Sequence, residues 1–266
     1  MIDYNRMHDK NVLKNQYNTA SNLNKHINLH EKYSTNKKGY RNWIAEQYDF
    51  FDGCKILELG CGTGDFWEGR LDSIGENSTM VLSDFAEGMV KIVQDKYSAC
   101  DNIKTMQIDI ESIPFDDCHF DFVIANSMLY HVPNLKKSIE EVFRVLKPGG
   151  IFYAATYGEK GMTQFFNTTL KDLDANMNIE GNVAFTLQNG EKLLRNSFDK
   201  VRRLDYEDSL EISDTNDLVD YMLSMTSMAA LKNLDRNVLY NYYEGKKNEK
   251  GVIYIPKEYG TFVSIK

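Results

Sequence analysis

The stretch Lys55-Ile56-Leu57-Glu58-Leu59-Gly60-Cys61-Gly62-Thr63-Gly64 decides how this chain is read. Ile56, Leu57 and Leu59 form a short apolar run, with Glu58 set into it near its end. A run this short, bounded by turn residues, predicts a buried parallel strand. Gly60, Gly62 and Gly64 then alternate with Cys61 and Thr63, and Asp65-Phe66-Trp67 reads as the start of a helix. Glycine at alternate positions lets the backbone turn sharply and removes the β-carbons that hold a ligand away. Strand, bare loop and helix in that order predict a cofactor lying across the loop. A tight structural turn is the plainer reading of the same glycines.

The spacing bears on which cofactor. A dinucleotide site asks for G-x-G-x-x-G with a helix N-terminus aimed at a pyrophosphate. Here the pattern is E-x-G-x-G-x-G, and Asp65 stands where the third dinucleotide glycine belongs. A carboxylate there opposes a pyrophosphate and suits a cation such as a sulfonium or an ammonium group. The stretch resembles motif I of the class I S-adenosylmethionine-dependent methyltransferases, and the resemblance continues downstream. It implies a Rossmann-like α/β fold: a seven-stranded sheet with helices on both faces and a reversed last strand. It also implies S-adenosylmethionine as cofactor, with S-adenosylhomocysteine as product, and places Glu58, Gly60, Cys61, Gly62, Thr63 and Gly64 on that cofactor.

Downstream, Thr79 to Ser83 reads as a second buried strand ending in Asp84, with a helix predicted over Phe85 to Ala99. An acid at the end of the second strand is placed to accept both hydroxyls of a ribose; a cap for the following helix is the alternative. By resemblance, Phe85 and Met89 pack against adenine. Ile103 to Ile108 reads as the third strand, followed by Asp109 and Ile110, a carboxylate for the adenine amino group and a backbone N–H for a ring nitrogen. Pro114-Phe115-Asp116 and Phe120-Asp121 resemble the stretch that follows in the family.

Asp121 to Asn126 is apolar as a central parallel strand must be. It leads into Asn126-Ser127-Met128-Leu129-Tyr130-His131, at the carboxyl end of the sheet where ligands of open α/β folds sit. Asn126 is therefore expected beside the cofactor, with Tyr130 and His131 as catalytic candidates. His131 either accepts a proton from the acceptor or caps the next element and orients Tyr130. Leu135 to Leu146 follows as an amphipathic helix, stopped by Lys147-Pro148-Gly149-Gly150, and Ile151 to Thr156 is the fifth strand. Arg144 to Gly150 matches the family closely.

The flanks are less specific. Asn11 to Ile27 reads as a partly helical arm, and Tyr40 to Tyr48 carries aromatic and apolar residues at helical spacing. In the family such an arm folds over the cofactor, which makes Tyr33 and Trp43 candidates for lining a lid. Residues 1–53 are thus expected to form an arm or lid, and 54–266 the methyltransferase domain, with cap helices within about 160–250. In that region Met162 to Met177 and Gly190 to Asn196 read as helices and Val201 to Tyr206 as a strand. Over Asp214 to Leu231, the stripe Leu218, Tyr221, Met222, Met225 and Met228 reads as core packing. Gly260 to Lys266 is expected to be the last strand.

Composition narrows the function. In 266 residues, 42% hydrophobic content supports a sizeable core, and a net charge of −8 argues against a nucleic-acid substrate. The four cysteines, Cys54, Cys61, Cys100 and Cys118, have neither zinc-like spacing nor a C-x-x-C pair, so no metal site and a cytoplasmic, reduced setting are expected. No apolar run approaches a membrane span. A sulfonium methyl is already activated, so the chemistry is mainly proximity and orientation, consistent with no catalytic triad. The expected enzyme methylates a small molecule at oxygen, nitrogen or carbon. A methyltransferase acting on protein or tRNA and a non-catalytic cofactor-binding regulator are the alternatives; the absence of an Asn-Pro-Pro-Tyr tetrapeptide at Asn126 argues against base or glutamine methylation.

Overall fold

The computed structural model describes residues 29–173, 184–224, 231 and 234–266. The arm expected over Asn11 to Ile27 lies outside them, as do Met225 and Met228 of the methionine stripe. The described residues divide into two compact units. One comprises Tyr40–Tyr157, Ala184–Asp205 and Gly260–Lys266; the other draws on 29–39, 158–173 and the described parts of 206–259.

The strands are β1 (Lys55–Leu59), β2 (Thr79–Asp84), β3 (Ile103–Gln107), β4 (Phe120–Asn126), β5 (Leu146–Tyr157), β6 (Lys200–Ile212) and β7 (Ile253–Ile265). They form one seven-stranded sheet in the order β3-β2-β1-β4-β5-β7-β6. β1 is parallel to β2 and to β4, with Leu57 opposite Val81 on one side and Val123 on the other. β7 is the reversed strand: Gly149 donates to the Lys266 carbonyl at one end of β5, and Gly158 just beyond its other end donates to the Glu258 carbonyl. The expected α/β sheet is therefore present with its reversed strand.

Helices in chain order are α1 (Tyr40–Ala45), α2 (Glu87–Lys96), α3 (Leu135–Val145), α4 (Gly161–Leu173), α5 (Gly190–Leu194), α6 (Thr215–Ser224) and α7 (Arg236–Glu244). The period-two alternation of β1 and β4 feeds two apolar layers. Leu57, Leu59, Val123 and Ala125 pack in one cluster with Ile139 and Val142 of α3. Ile56, Phe122 and Ile124 pack in another with Val93 of α2 and Tyr97 just beyond it. Both faces are covered, which is why these strands read as continuous apolar runs.

Several boundaries differ from the sequence reading, each for a tertiary reason. Asp65–Trp67 is a single 3-10 turn and not the start of an α-helix, because Glu68 is extended and the Trp67 indole N–H donates to Glu58 at 2.6 Å. β5 starts at Leu146, so Lys147-Pro148-Gly149-Gly150 is strand and not merely a helix stop. Leu146 already pairs with Phe120, and Lys147 ion-pairs with Asp121 at 2.7 Å, across an irregularity between Phe120 and Phe122. β6 and β7 are both longer than expected because their outer halves pack in the second unit, where Leu210, Ile212, Ile253 and Ile255 join a cluster with Leu218 and Met222 of α6. Leu218 and Met222 are core, as the stripe predicts. Helix α7 went unread, although Asp235 caps it by accepting the Asn237 N–H at 2.9 Å and Leu239 and Tyr243 bury one face.

Candidate functional site

The strand order runs outward from β1 in both directions, so the chain switches sides between β1 and β4. Ligands of open α/β sheets bind at the carboxyl ends of strands at such a switch. Here those ends are Gly60 to Gly64 after β1 and Ser127 to His131 after β4. The two loops touch: a β-carbon added to Gly60, at φ +71°, would lie 2.8 Å from Met128 Cβ. Glycine is therefore needed at Gly60 for backbone angle and for approach alike. Ser127, at φ 53°, holds a conformation L-residues rarely adopt, a local strain of the kind that collects at functional sites.

Gly62 is different. At φ +57° it too is left-handed, but its β-carbon direction has nothing within 4 Å. Its N–H donates to Asp84 Oδ2 at 3.0 Å, while Asp84 Oδ1 accepts the Ala86 N–H at 2.8 Å. Asp84 thus ties the glycine loop to the segment that leads into α2, whose N-cap is Ala86 with no side-chain cap bond. The Phe85 N–H is a third backbone donor to this carboxylate, whose two oxygens offer about four acceptor sites. Burial raises its pKa against the pull of these N–H groups.

Glu58 is buried beneath the loop. Its Oε2 accepts the Trp67 indole N–H, and its Oε1 lies 3.4 Å from Asn126 Nδ2, which also donates to the Tyr48 hydroxyl at 2.8 Å. Among the described residues, Asn126 Oδ1 is buried with no hydrogen-bond partner. Cys61 is half-buried in the loop, its thiol pushed up by burial and by the Glu58 and Asp84 carboxylates. Asp65 ion-pairs with Lys96 of α2, which holds its carboxyl low although burial opposes this.

The third strand ends in a tight turn: the Glu111 N–H donates to Asp109 Oδ1 at 3.0 Å. Ile110 and Met89 are buried, and Phe85 is half-buried. After β4, Tyr130 packs edge-on to His131 with ring centroids 4.5 Å apart, and against Tyr157 at 4.9 Å. Trp43 stacks on Tyr40, whose hydroxyl donates to the Gly260 carbonyl at 3.0 Å. Tyr33 belongs to the other unit, where it is buried and donates to Asp217 at 2.6 Å.

The model of the methyltransferase domain family matches residues 57–154. That match spans less than half of the chain, from Leu57 in β1 to Ala154 in β5, and so takes in both loops of the β1–β4 switch. The demethylmenaquinone methyltransferases of Staphylococcus carnosus (strain TM300) and Staphylococcus aureus (strain MRSA252) are 32% identical over 114 residues. That match covers 43% of this chain and 47% of each relative's own length. Among solved structures, a putative methyltransferase from Bacillus halodurans C-125 is 18% identical, with a TM-score of 0.57 over 85% of this chain and 98% of that one. Phosphoethanolamine N-methyltransferase 2 of Haemonchus contortus, in complex with S-adenosyl-L-methionine, is 14% identical, with a TM-score of 0.61 over 98% of this chain and 60% of that one. At these identities the likeness is one of fold.

Within the unit that includes Tyr40–Tyr157, Tyr48 and Trp67 are the neighbours of Glu58 and Asn126 that the sequence reading missed. Trp67 follows the glycine loop directly, and its single N–H is the signal, since a buried indole needs an acceptor. Among the described residues, no group of three or more His, Cys, Asp or Glu is arranged to hold a metal ion, and no helix is long and apolar enough to cross a membrane.

Glu58 carries a pH signature. Burial lifts its pKa from 4.5 to about 7, opposed by the bonds from Trp67 and Asn126 and reinforced by Asp84. The folded state therefore favours the neutral acid. Its contribution to stability is complete below about pH 4.5 and is lost as pH rises through about 7. At about 1.4 kcal/mol per pH unit the penalty for ionising it in the fold is about 3 kcal/mol. Glu58→Gln removes that penalty and keeps an acceptor for Trp67. In denaturant titrations the variant should gain on the wild type by up to about 3 kcal/mol between pH 4 and pH 8. A constant difference between the two proteins across that range would remove the buried-acid assignment.

Proposed function

We propose that this chain is an enzyme that transfers the methyl group of S-adenosylmethionine to a small-molecule acceptor. The observation that carries the reading is the β1–β4 switch, where Glu58 in β1, Asp84 at the end of β2 and Asp109 just after β3 accompany open space in front of Gly62. The residues present fit such a cofactor. Glu58 and the unpartnered Asn126 Oδ1 offer acceptors to an ammonium group. Asp84 retains an acceptor site for a ribose hydroxyl, and Asp109 and Ile110 follow the end of β3, for adenine. Phe85 and Met89, around the entry of α2, supply apolar surface for the base.

When bound, the cofactor supplies an electrophilic methyl group on a sulfonium. The chain's own groups then have three tasks: to bind, to orient and to handle a proton. Glycines at Gly60 and Gly62 admit the ligand to the backbone. Tyr130 and His131, on the loop after β4, would line the acceptor side, where His131 would take the proton of a hydroxyl or amine acceptor. The acceptor's lone pair would bond to the methyl carbon while the carbon–sulfur pair stays with sulfur. An acceptor that is already an anion needs no base, and proximity suffices. The small-molecule class is supported by the net charge of −8 and by relatives named for demethylmenaquinone.

Calorimetric titration with S-adenosylmethionine and, separately, with NAD tests the cofactor. Saturable binding of the first and none of the second is expected; the reverse would end the reading. Asp84→Asn keeps one acceptor for the loop N–H groups but gives up the charge. Losing charge-assisted hydrogen bonds of about 1.5–3 kcal/mol each should weaken cofactor binding at least about tenfold. Unchanged affinity would take Asp84 off the ribose. Incubating metabolite extracts with labelled cofactor and identifying the methylated product by mass then names the acceptor. A label appearing only on protein or tRNA would overturn the small-molecule class.

A further inference from the structure

Arg144 sits in the last turn of α3, outside the loops at the β1–β4 switch, and its guanidinium is fully engaged. Its Nη1 donates to the Phe115 carbonyl at 2.7 Å and to Asp117 Oδ1 at 3.0 Å. Its Nη2 donates to the Ile113 carbonyl at 2.8 Å and to Glu141 Oε2 at 2.8 Å, and Nε donates to Glu141 Oε1 at 2.8 Å. A guanidinium has five N–H groups in a rigid fork, and each of these five bonds uses one of them. Glu141 completes the arrangement by accepting the Ile113 N–H at 2.9 Å. Glu111 adds a second tie, accepting the backbone N–H of Asn134 at the start of α3 at 3.2 Å.

Both ties hold the same segment. It runs from the Asp109 turn after β3 to Asp117, and among the described residues it has no strand partner beyond its own short Asp109–Ser112 bridge. Ile110 and Ile113 anchor it apolarly in the layer that α3 covers. Apolar contacts are non-directional, so they set depth without fixing rotation about the segment. Two carbonyls gripped by one planar fork do fix it.

We infer that Arg144 is a positioning residue for the base of the cofactor: by clamping the Ile113 and Phe115 carbonyls, it sets where the Asp109 carboxylate and the Ile110 N–H stand. This rests on the proposed binding of an adenosine-bearing cofactor. Recognition of adenine by a carboxylate and an N–H is directional, since the carboxylate needs a donor at position 6 and the N–H an acceptor at position 1. Hypoxanthine reverses both. Hydrogen-bond strength falls steeply with angle, so a loosened segment loses the discrimination between the bases before it loses binding.

The test compares S-adenosylhomocysteine with S-inosylhomocysteine, which differ in the base alone, by calorimetry on the whole chain. The wild type should prefer the adenine ligand by about tenfold or more. Arg144→Lys keeps the charge but cannot grip two carbonyls in one plane. It should bring that preference close to unity, while binding S-inosylhomocysteine within about threefold of the wild type. A lost cap or a generally weakened fold would lower both affinities together, and that result overturns the inference, as does a preference that survives unchanged. If Arg144→Lys fails to fold, Glu141→Gln decides: it leaves the arginine in place, removes the charge that orients it, and should lower the same preference. An unchanged ratio in that variant overturns the inference. A wild type that binds neither ligand overturns the cofactor reading itself. A wild type that binds both equally removes the base contacts of Asp109 and Ile110, and the inference with them.

Discussion

Gly62→Val should abolish measurable binding of S-adenosylmethionine, a loss of at least about 100-fold, while leaving a folded protein. The separation of these effects follows from where the new side chain would go. Gly62 sits at φ +57°, so any L-residue there is strained, by about 1–2 kcal/mol. A β-branched residue is strained further. Among the described residues, apart from its chain neighbours, no atom lies within 4 Å of the β-carbon position, so the added β-carbon meets open space. On the proposed mode of binding, that space belongs to the cofactor. Gly60 is the contrasting position: its β-carbon would strike Met128 at 2.8 Å, and substitution there should disturb the loop itself. Thermal denaturation together with calorimetry checks the Gly62 result, and Gly62→Ala should fall between the wild type and Val in affinity. Normal binding by a folded Val variant would leave the glycine loop as a turn and nothing more.

The second large effect is expected on turnover. His131→Ala should reduce the rate by about 100-fold or more with cofactor affinity unchanged, if the imidazole takes the acceptor's proton. The His131 backbone N–H donates to Met128, and its ring packs on Tyr130. A purely structural role therefore has a different signature: the alanine variant would melt earlier and Tyr130 would lose its edge contact. Single-turnover rates at saturating cofactor, measured beside the melting temperature, separate the two. A loss of less than about tenfold with normal stability would assign the residue to orientation. An unchanged rate would exclude it from the reaction.

The sheet was legible because its signal is local. Each of β1, β2 and β4 is an apolar run ending in a turn residue or an acid, and burial on both faces demands that pattern whatever lies around it. The glycine loop was legible for the same reason, since alternate glycines constrain the backbone by themselves. Helix boundaries were legible only in part: Asn134 opens α3, its side chain accepting the Lys137 N–H at 3.2 Å, whereas the equally local Asp235 cap of α7 was not read. They were misread where a partner distant in the chain decides, as at Leu146, which leaves α3 to pair with Phe120.

What the amino-acid sequence determined by itself is the α/β class, the order of the first five strands, and which acids stand at strand ends. Only the tertiary structure decided what those acids touch. Glu58 could not be seen as a buried acid gripped by Trp67 and close to Asn126, because those partners lie 9 and 68 residues away. Asp84 could not be seen bonding the Gly62 N–H, 22 residues earlier. Nor could Arg144 be seen holding the Asp109 to Asp117 segment from α3. The physical reason is common to all three. Periodicity reports which face of an element is dry, a property each residue carries alone. The hydrogen bonds and ion pairs that shape a site depend on where the chain returns, and that is settled only when the sheet closes.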